Sequence, residues 1–168
     1  MLAIGDSNLK RIRVGYLAGL VDRNVYIKKF AYGGATARHL RHYIDIGLES
    51  NPEIVIIHGG TNDIAGSNKN DYHPKRVASE IIETAVKAKE KGVREVYVSS
   101  VLAVRNPVED SRGKEINKYL KVFCREENIM FVDNSNISTG FLEEEDNVHL
   151  NGWGCKELTK NFAHYLNY

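Results

Sequence analysis

Four short segments of this chain carry side chains suited to nucleophilic chemistry, in the order Ser, Gly, Asn, His. The first is Gly5-Asp6-Ser7. An apolar run, Leu2 to Ile4, precedes it and helix-forming sequence follows, so Ser7 is expected on a strand-to-helix turn with its hydroxyl towards a cleft and its own N–H pointing the same way. Ser7 can then be nucleophile and oxyanion donor together. The alternative is that it only caps the helix, although a capping box would want Glu or Gln where Lys10 stands. The second segment is Ala31-Tyr32-Gly33-Gly34-Ala35-Thr36. Gly34 can offer an unshielded N–H to a developing oxyanion, or it can be a plain left-handed turn before a helix that Thr36 begins. In the third, His58-Gly59-Gly60-Thr61-Asn62-Asp63, the Asn62 amide is a neutral donor able to reach the same oxygen. Its alternative is a loop in which Asp63 caps a local turn.

A serine hydroxyl is inert at neutral pH without a positioned base. The fourth segment, Asp146-Asn147-Val148-His149, offers one. With Asp three residues before His on one loop, the carboxylate can fold back to the Nδ1 proton and leave Nε2 free to accept a proton from Ser7. A surface or core histidine is the other reading. The remaining histidines, at 39, 42, 58, 73 and 164, lack such a partner at this spacing, and His58 reads as structural. No Gly-x-Gly-x-x-Gly follows a strand, no phosphate-loop motif is present and no Cys/His set has zinc spacing. Neither a cofactor nor a metal is therefore expected.

The elements that must position these residues are read from periodicity. Apolar runs at Leu2 to Ile4, Val25 to Phe30, Ile54 to Ile57, Val96 to Val101 and Ile129 to Val132 alternate with helical stretches near 8–21, 36–48, 75–91, 112–127 and 152–166. That alternation predicts a parallel sheet covered by helices on both faces. Ile81, Ile82, Ala85, Val86 and Ala88 form the stripe of a helix packed on a sheet, and Gly92 is a stop. Three loops look long: Ala65 to Pro74, Val104 to Ser111 and Asp133 to Leu150. Ligands bind beyond the carboxyl ends of parallel strands, where all four segments fall.

At 168 residues, with 42% hydrophobic and 27% charged residues, the chain fits a single domain, residues 1–168, without a disulfide staple. No repeat, linker or low-complexity tract divides it. No apolar run approaches the ~20 residues of a membrane span. The opening Met-Leu-Ala-Ile-Gly is already strand-like, so no secretory signal is read, and a piece of a longer protein would look the same. Cys124 and Cys155 suit buried free thiols and a reducing, cytoplasmic type of compartment. Residues 1–50 hold 8 Lys/Arg against 4 Asp/Glu, and the remainder 15 against 18. A basic half can attract nucleic acid or anionic ligands, or be a solvated face. Arg38, His39, Arg41 and His42 pose the same choice.

In this order the four segments resemble the SGNH (GDSL-like) hydrolase superfamily, whose blocks centre on Ser, Gly, Asn and His. The wording Gly-Asp-Ser-Asn-Leu-Lys, Gly-Gly-Ala-Thr, His-Gly-Gly-Thr-Asn-Asp and Val-His-Leu-Asn-Gly looks most like SGNH domains of invertebrate and retroelement-associated proteins. Ala35 departs from the Asp many members carry there, and the first strand is short. The resemblance implies a three-layer α/β/α sandwich with a five-stranded parallel sheet, flavodoxin-like in layout. It implies Ser7 as nucleophile, His149 as base, Asp146 as orienting acid, and an oxyanion hole of Ser7 N–H, Gly34 N–H and the Asn62 side chain. The expected activity is hydrolysis of a small, short-chain carboxylic ester. The alternative is a non-catalytic module of the same fold that binds RNA or protein.

Overall fold

The computed structural model of the chain describes residues 1–65 and 72–168. Five parallel strands, β1 (Leu2–Gly5), β2 (Lys28–Ala31), β3 (Ile54–His58), β4 (Glu95–Ser99) and β5 (Met130–Val132), form one sheet in the order β2-β1-β3-β4-β5. Among the described residues seven α-helices flank it: α1 (Ser7–Lys10), α2 (Val14–Leu20), α3 (Ala37–Leu48), α4 (Thr61–Ala65), α5 (Pro74–Glu90), α6 (Pro107–Glu126) and α7 (Gly152–Leu166). The expected α/β/α sandwich with a five-stranded parallel sheet is what the chain forms.

Successive residues of a strand face opposite sides, and the sheet feeds two cores accordingly. Leu2, Ile4, Val55, Ile57, Val96 and Val98 pack with the apolar faces of α3, α5 and α6. Ala3, Ile54, Ile56, Tyr97 and Val132 pack with Leu9, Leu17, Leu158 and Phe162 of α1, α2 and α7. On α5, Ile81, Ile82, Ala85 and Ala88 are buried as the stripe predicts, while Val86 is partly exposed. Gly92 ends the helix at φ 88°. β3 is buried along its whole length, as a central parallel strand must be.

Three boundaries differ most from the sequence reading. The helix expected over 8–21 breaks between Lys10 and Val14, because the Lys29 ammonium binds the carbonyls of Lys10 (2.8 Å) and Ile12 (2.7 Å), drawing them from the helical ladder. β2 starts at Lys28 rather than Val25, where it gains β1 as a partner. The loop expected at Val104 to Ser111 is largely helix. Asn106 caps α6 by accepting from the amides of Val108 (3.0 Å) and Glu109 (3.2 Å), with Pro107 in the first turn. Within the loop expected at Ala65 to Pro74, residues 66–71 lie outside the described residues.

Candidate active site

The strand order reverses at β1, between its pairings with β2 and with β3, and the carboxyl ends of strands at such a switch point are where open parallel sheets bind ligands. β1 delivers Ser7 there, β2 delivers Gly34 and β3 delivers Asn62. The cap of α1 is Asp6, whose Oδ1 accepts the Asn8 amide at 2.9 Å. Ser7 is therefore the first helical residue, and its hydroxyl is not spent on capping. Its Oγ lies 3.0 Å from Nε2 of His149. Among the described residues its N–H has no acceptor.

The His149 loop folds back on itself. Leu142 and Leu150 pair as an antiparallel bridge, and the Glu143 amide donates to the His149 carbonyl at 2.9 Å. Within it, Asp146 Oδ2 lies 2.6 Å from His149 Nδ1, and Oδ1 accepts the amides of Val148 (2.8 Å) and His149 (2.9 Å). Partial burial works to raise the Asp146 pKa. These two amides and the imidazole outweigh it and draw the carboxyl down to about 2. Asp146 is thus an anion fixed on the Nδ1 side of the ring.

The second and third segments are tied together. Gly34 sits exposed at φ 74°, a left-handed turn that favours glycine, and its N–H also lacks an acceptor among the described residues. The turn reading and an outward N–H are therefore compatible. Asn62 Nδ2 donates to the Ala35 carbonyl at 2.9 Å, which uses one of its two amide protons. The buried Oδ2 of Asp63 accepts the Ala37 amide at the start of α3 (3.0 Å). Burial pushes its carboxyl up to about 7, against the pull of that amide, and nearby Glu80 and Asp6 add to the rise.

His58 is fully buried, 2.8 Å by Nδ1 from Ser99 Oγ and edge-on to Phe162, and burial lowers its pKa against the pull of Asp6. It is built into the core. His39 has a partner that spacing alone did not suggest: its Nδ1 accepts the Thr36 amide at 3.1 Å, closing a capping box at α3. Among the described residues no cluster of His, Cys, Asp and Glu is arranged to hold a metal. Cys124 is buried and Cys155 half-buried, both free; burial pushes the Cys124 thiol up to about 12.

The model of the GDSL-like lipase/acylhydrolase family matches residues 3–156. The chain belongs to this family. The match spans all four segments, from Ser7 to His149. Solved structures with the same fold include a member of the lipolytic G-D-S-L family from Veillonella parvula, 18% identical, covering 97% of this chain and 95% of that one at a TM-score of 0.79. A lipase/acylhydrolase from Enterococcus faecalis is 18% identical over 99% and 94% of the two chains, TM-score 0.79. An acetylxylan esterase from Geobacillus stearothermophilus is 17% identical over 99% and 93%, TM-score 0.80. No curated protein sequence matches the chain.

In this family member the His149 loop is also held by residues whose spacing gives no hint of it. The Arg105 guanidinium binds the carbonyls of Leu142 (3.3 Å), Glu143 (2.8 Å) and Glu144 (2.9 Å), and its amide donates to the Asn147 carbonyl at 3.0 Å. Asn147 in turn donates to Glu109 Oε2 at 2.8 Å. Asn8, beside Ser7, reaches the same loop. For Asn8 the one sequence signal is its place beside Ser7; Arg105 adjoins none of the four segments.

Proposed function

We propose that the protein is a serine esterase that hydrolyses a short-chain carboxylic ester by two-step acyl transfer. The observation that carries this reading is the line Ser7 Oγ, His149 Nε2 at 3.0 Å, His149 Nδ1, Asp146 Oδ2 at 2.6 Å, which is the geometry of an activated hydroxyl. His149 takes the Ser7 proton as Oγ bonds to the acyl carbon. The oxyanion that forms is met by the free N–H groups of Ser7 and Gly34 and by the remaining Asn62 amide proton. The imidazolium, facing the Asp146 anion, gives its proton to the departing alcohol. Water then adds to the acyl-enzyme by the same route, releasing the acid and restoring Ser7. In this reading residues 1–168 act as one unit and need no metal or cofactor.

Family membership supports the acyl-hydrolase class. The similarity to an acetylxylan esterase supports an acetyl group carried on a carbohydrate or another small alcohol. Against p-nitrophenyl acetate, Ser7→Ala is expected to lower kcat by about 10⁴-fold or more, and a fluorophosphonate is expected to label wild-type Ser7 alone. Equal rates in wild type and Ser7→Ala, or folded protein that takes no label, would overturn the reading.

A further inference from the structure

Asn8 follows Ser7 in the first turn of α1 and is 1% exposed, an unusual place for a carboxamide unless its hydrogen bonds are met. They are met on the far side of the sequence. Its Oδ1 accepts the Leu150 amide at 3.0 Å, and its Nδ2 donates to the Val148 carbonyl at 3.1 Å. One side chain thus forms a two-bond pair with the backbone on either side of His149, as a neighbouring strand would.

The rest of the geometry leaves that pair as the link between nucleophile and base. The His149 amide is already taken by Asp146, which belongs to the same loop and moves with it. Arg105 holds the loop from the opposite side, through carbonyls of residues 142–144. Arg11, from the segment after α1, binds the Leu150 carbonyl at 2.8 Å, but through a long and partly exposed side chain. Among the described residues only Asn8 is both rigidly joined to Ser7, one residue away with its own amide capped by Asp6, and bonded on both flanks of His149.

We propose that Asn8 is a positioning residue, whose carboxamide holds the His149 loop in register with Ser7 and so sets the distance between Oγ and Nε2. This rests on the Ser7–His149 pair being the acyl-transfer centre. The carboxamide touches no reacting atom. Its loss should therefore reduce kcat and leave KM nearly unchanged, because the near-attack geometry between Ser7 and His149 is lost while Gly34 and Asn62 stay in place.

The test compares wild type with Asn8→Ala and the isosteric Asn8→Asp, which keeps the acceptor for Leu150 but sets an oxygen against the Val148 carbonyl. Leu17→Ala, a buried change in α2 remote from the site, controls for stability alone. Below the melting temperature of each protein, both Asn8 variants are expected to lose about 10²-fold in kcat on p-nitrophenyl acetate and in fluorophosphonate labelling rate. The Leu150 amide should exchange faster, and the imidazole nitrogen shifts of His149 should show its bond to Ser7 broken. Leu17→Ala should lower the melting temperature with kcat unchanged. The proposal is overturned if a folded Asn8 variant keeps wild-type kcat, or if its loss matches that of Leu17→Ala. Should wild type itself neither hydrolyse nor label, the esterase reading fails by itself. The His149 shifts then decide the positioning role: a Ser7 bond that survives in Asn8→Asp refutes it, and one that is lost supports it.

Discussion

Asp63 shows how one side chain can couple this site to pH. Its carboxyl is raised from 3.8 to about 7, so between those values the folded protein keeps a proton that the unfolded chain releases. The stability it contributes is full below about 3.8 and is lost as pH rises through about 7. His58, whose pKa burial lowers, works the other way, since its contribution is lost as pH falls below its unfolded value. Asp146, drawn down to about 2, contributes stability that is full above its unfolded value of 3.8 and is lost as pH falls from there through about 2. Comparison with Asp63→Asn isolates the first of these effects, because the amide keeps an acceptor for Ala37 without the titration. From about pH 5 to about pH 8, the urea midpoint of wild type is expected to fall relative to that of Asp63→Asn. A difference that does not change with pH would refute this. At the residue scale, sequence spacing brought Asp146 and His149 together, because only two residues lie between them. It could not say that Asn62 reaches back to the second segment and Asp63 to the start of α3, since those contacts join two different crossovers.

Among the elements, β1 is the one whose placement the site depends on most. A Cβ at Gly5 would come within 2.4 Å of the His58 carbonyl oxygen and 2.9 Å of Leu9 Cδ2. That carbonyl belongs to the paired strand β3 and accepts the Asp6 amide, so it cannot swing away without shifting the turn that carries Ser7. Gly5→Ala is expected to cost about 1 to 3 kcal/mol as overpacking. It should also lower kcat by moving Ser7 relative to Asn62, as urea titration and initial rates on p-nitrophenyl acetate would show. Unchanged values of both would mean that the strands part more easily than the register implies. Helix and strand bodies were legible from period and composition. Their ends were less so wherever a distant group took over a backbone partner, as Lys29 does at Lys10 and Ile12. The α6 start carried a local signal, the Asn106-Pro107 pair, that outranks the loop-like run before Ser111.

Across the whole molecule the charge imbalance between the two parts of the sequence largely closes on itself. Arg11 pairs with Glu143, Arg23 with Glu95, Arg38 with Glu80 and Arg41 with Glu83, each joining the basic first 50 residues to the acidic remainder. Lys29 is turned inward onto carbonyls. Five of the eight Lys/Arg of the first 50 residues are so engaged, which lowers the number available to exchange for phosphates, and counterion release is what drives non-specific nucleic-acid binding. Single-stranded RNA is therefore expected not to be retained at about 50 mM salt. Salt-dependent retention abolished by changing Lys10, Arg11 and Arg13 would instead favour a binding module. No helix among the described residues is long and apolar enough to cross a membrane. What the sequence determined by itself was the alternation of strands and helices and the location of three of the four segments directly after strands and of the fourth just before a helix. Those depend on local periodicity and on turn residues, which act over a few positions. Only the tertiary structure decided that a hydroxyl and an imidazole 142 residues apart stand 3.0 Å from one another, with the Asn8 carboxamide spanning the join. That distance follows from the order in which the strands pair and from buried polar groups finding partners across it, and neither leaves a periodic trace in the chain.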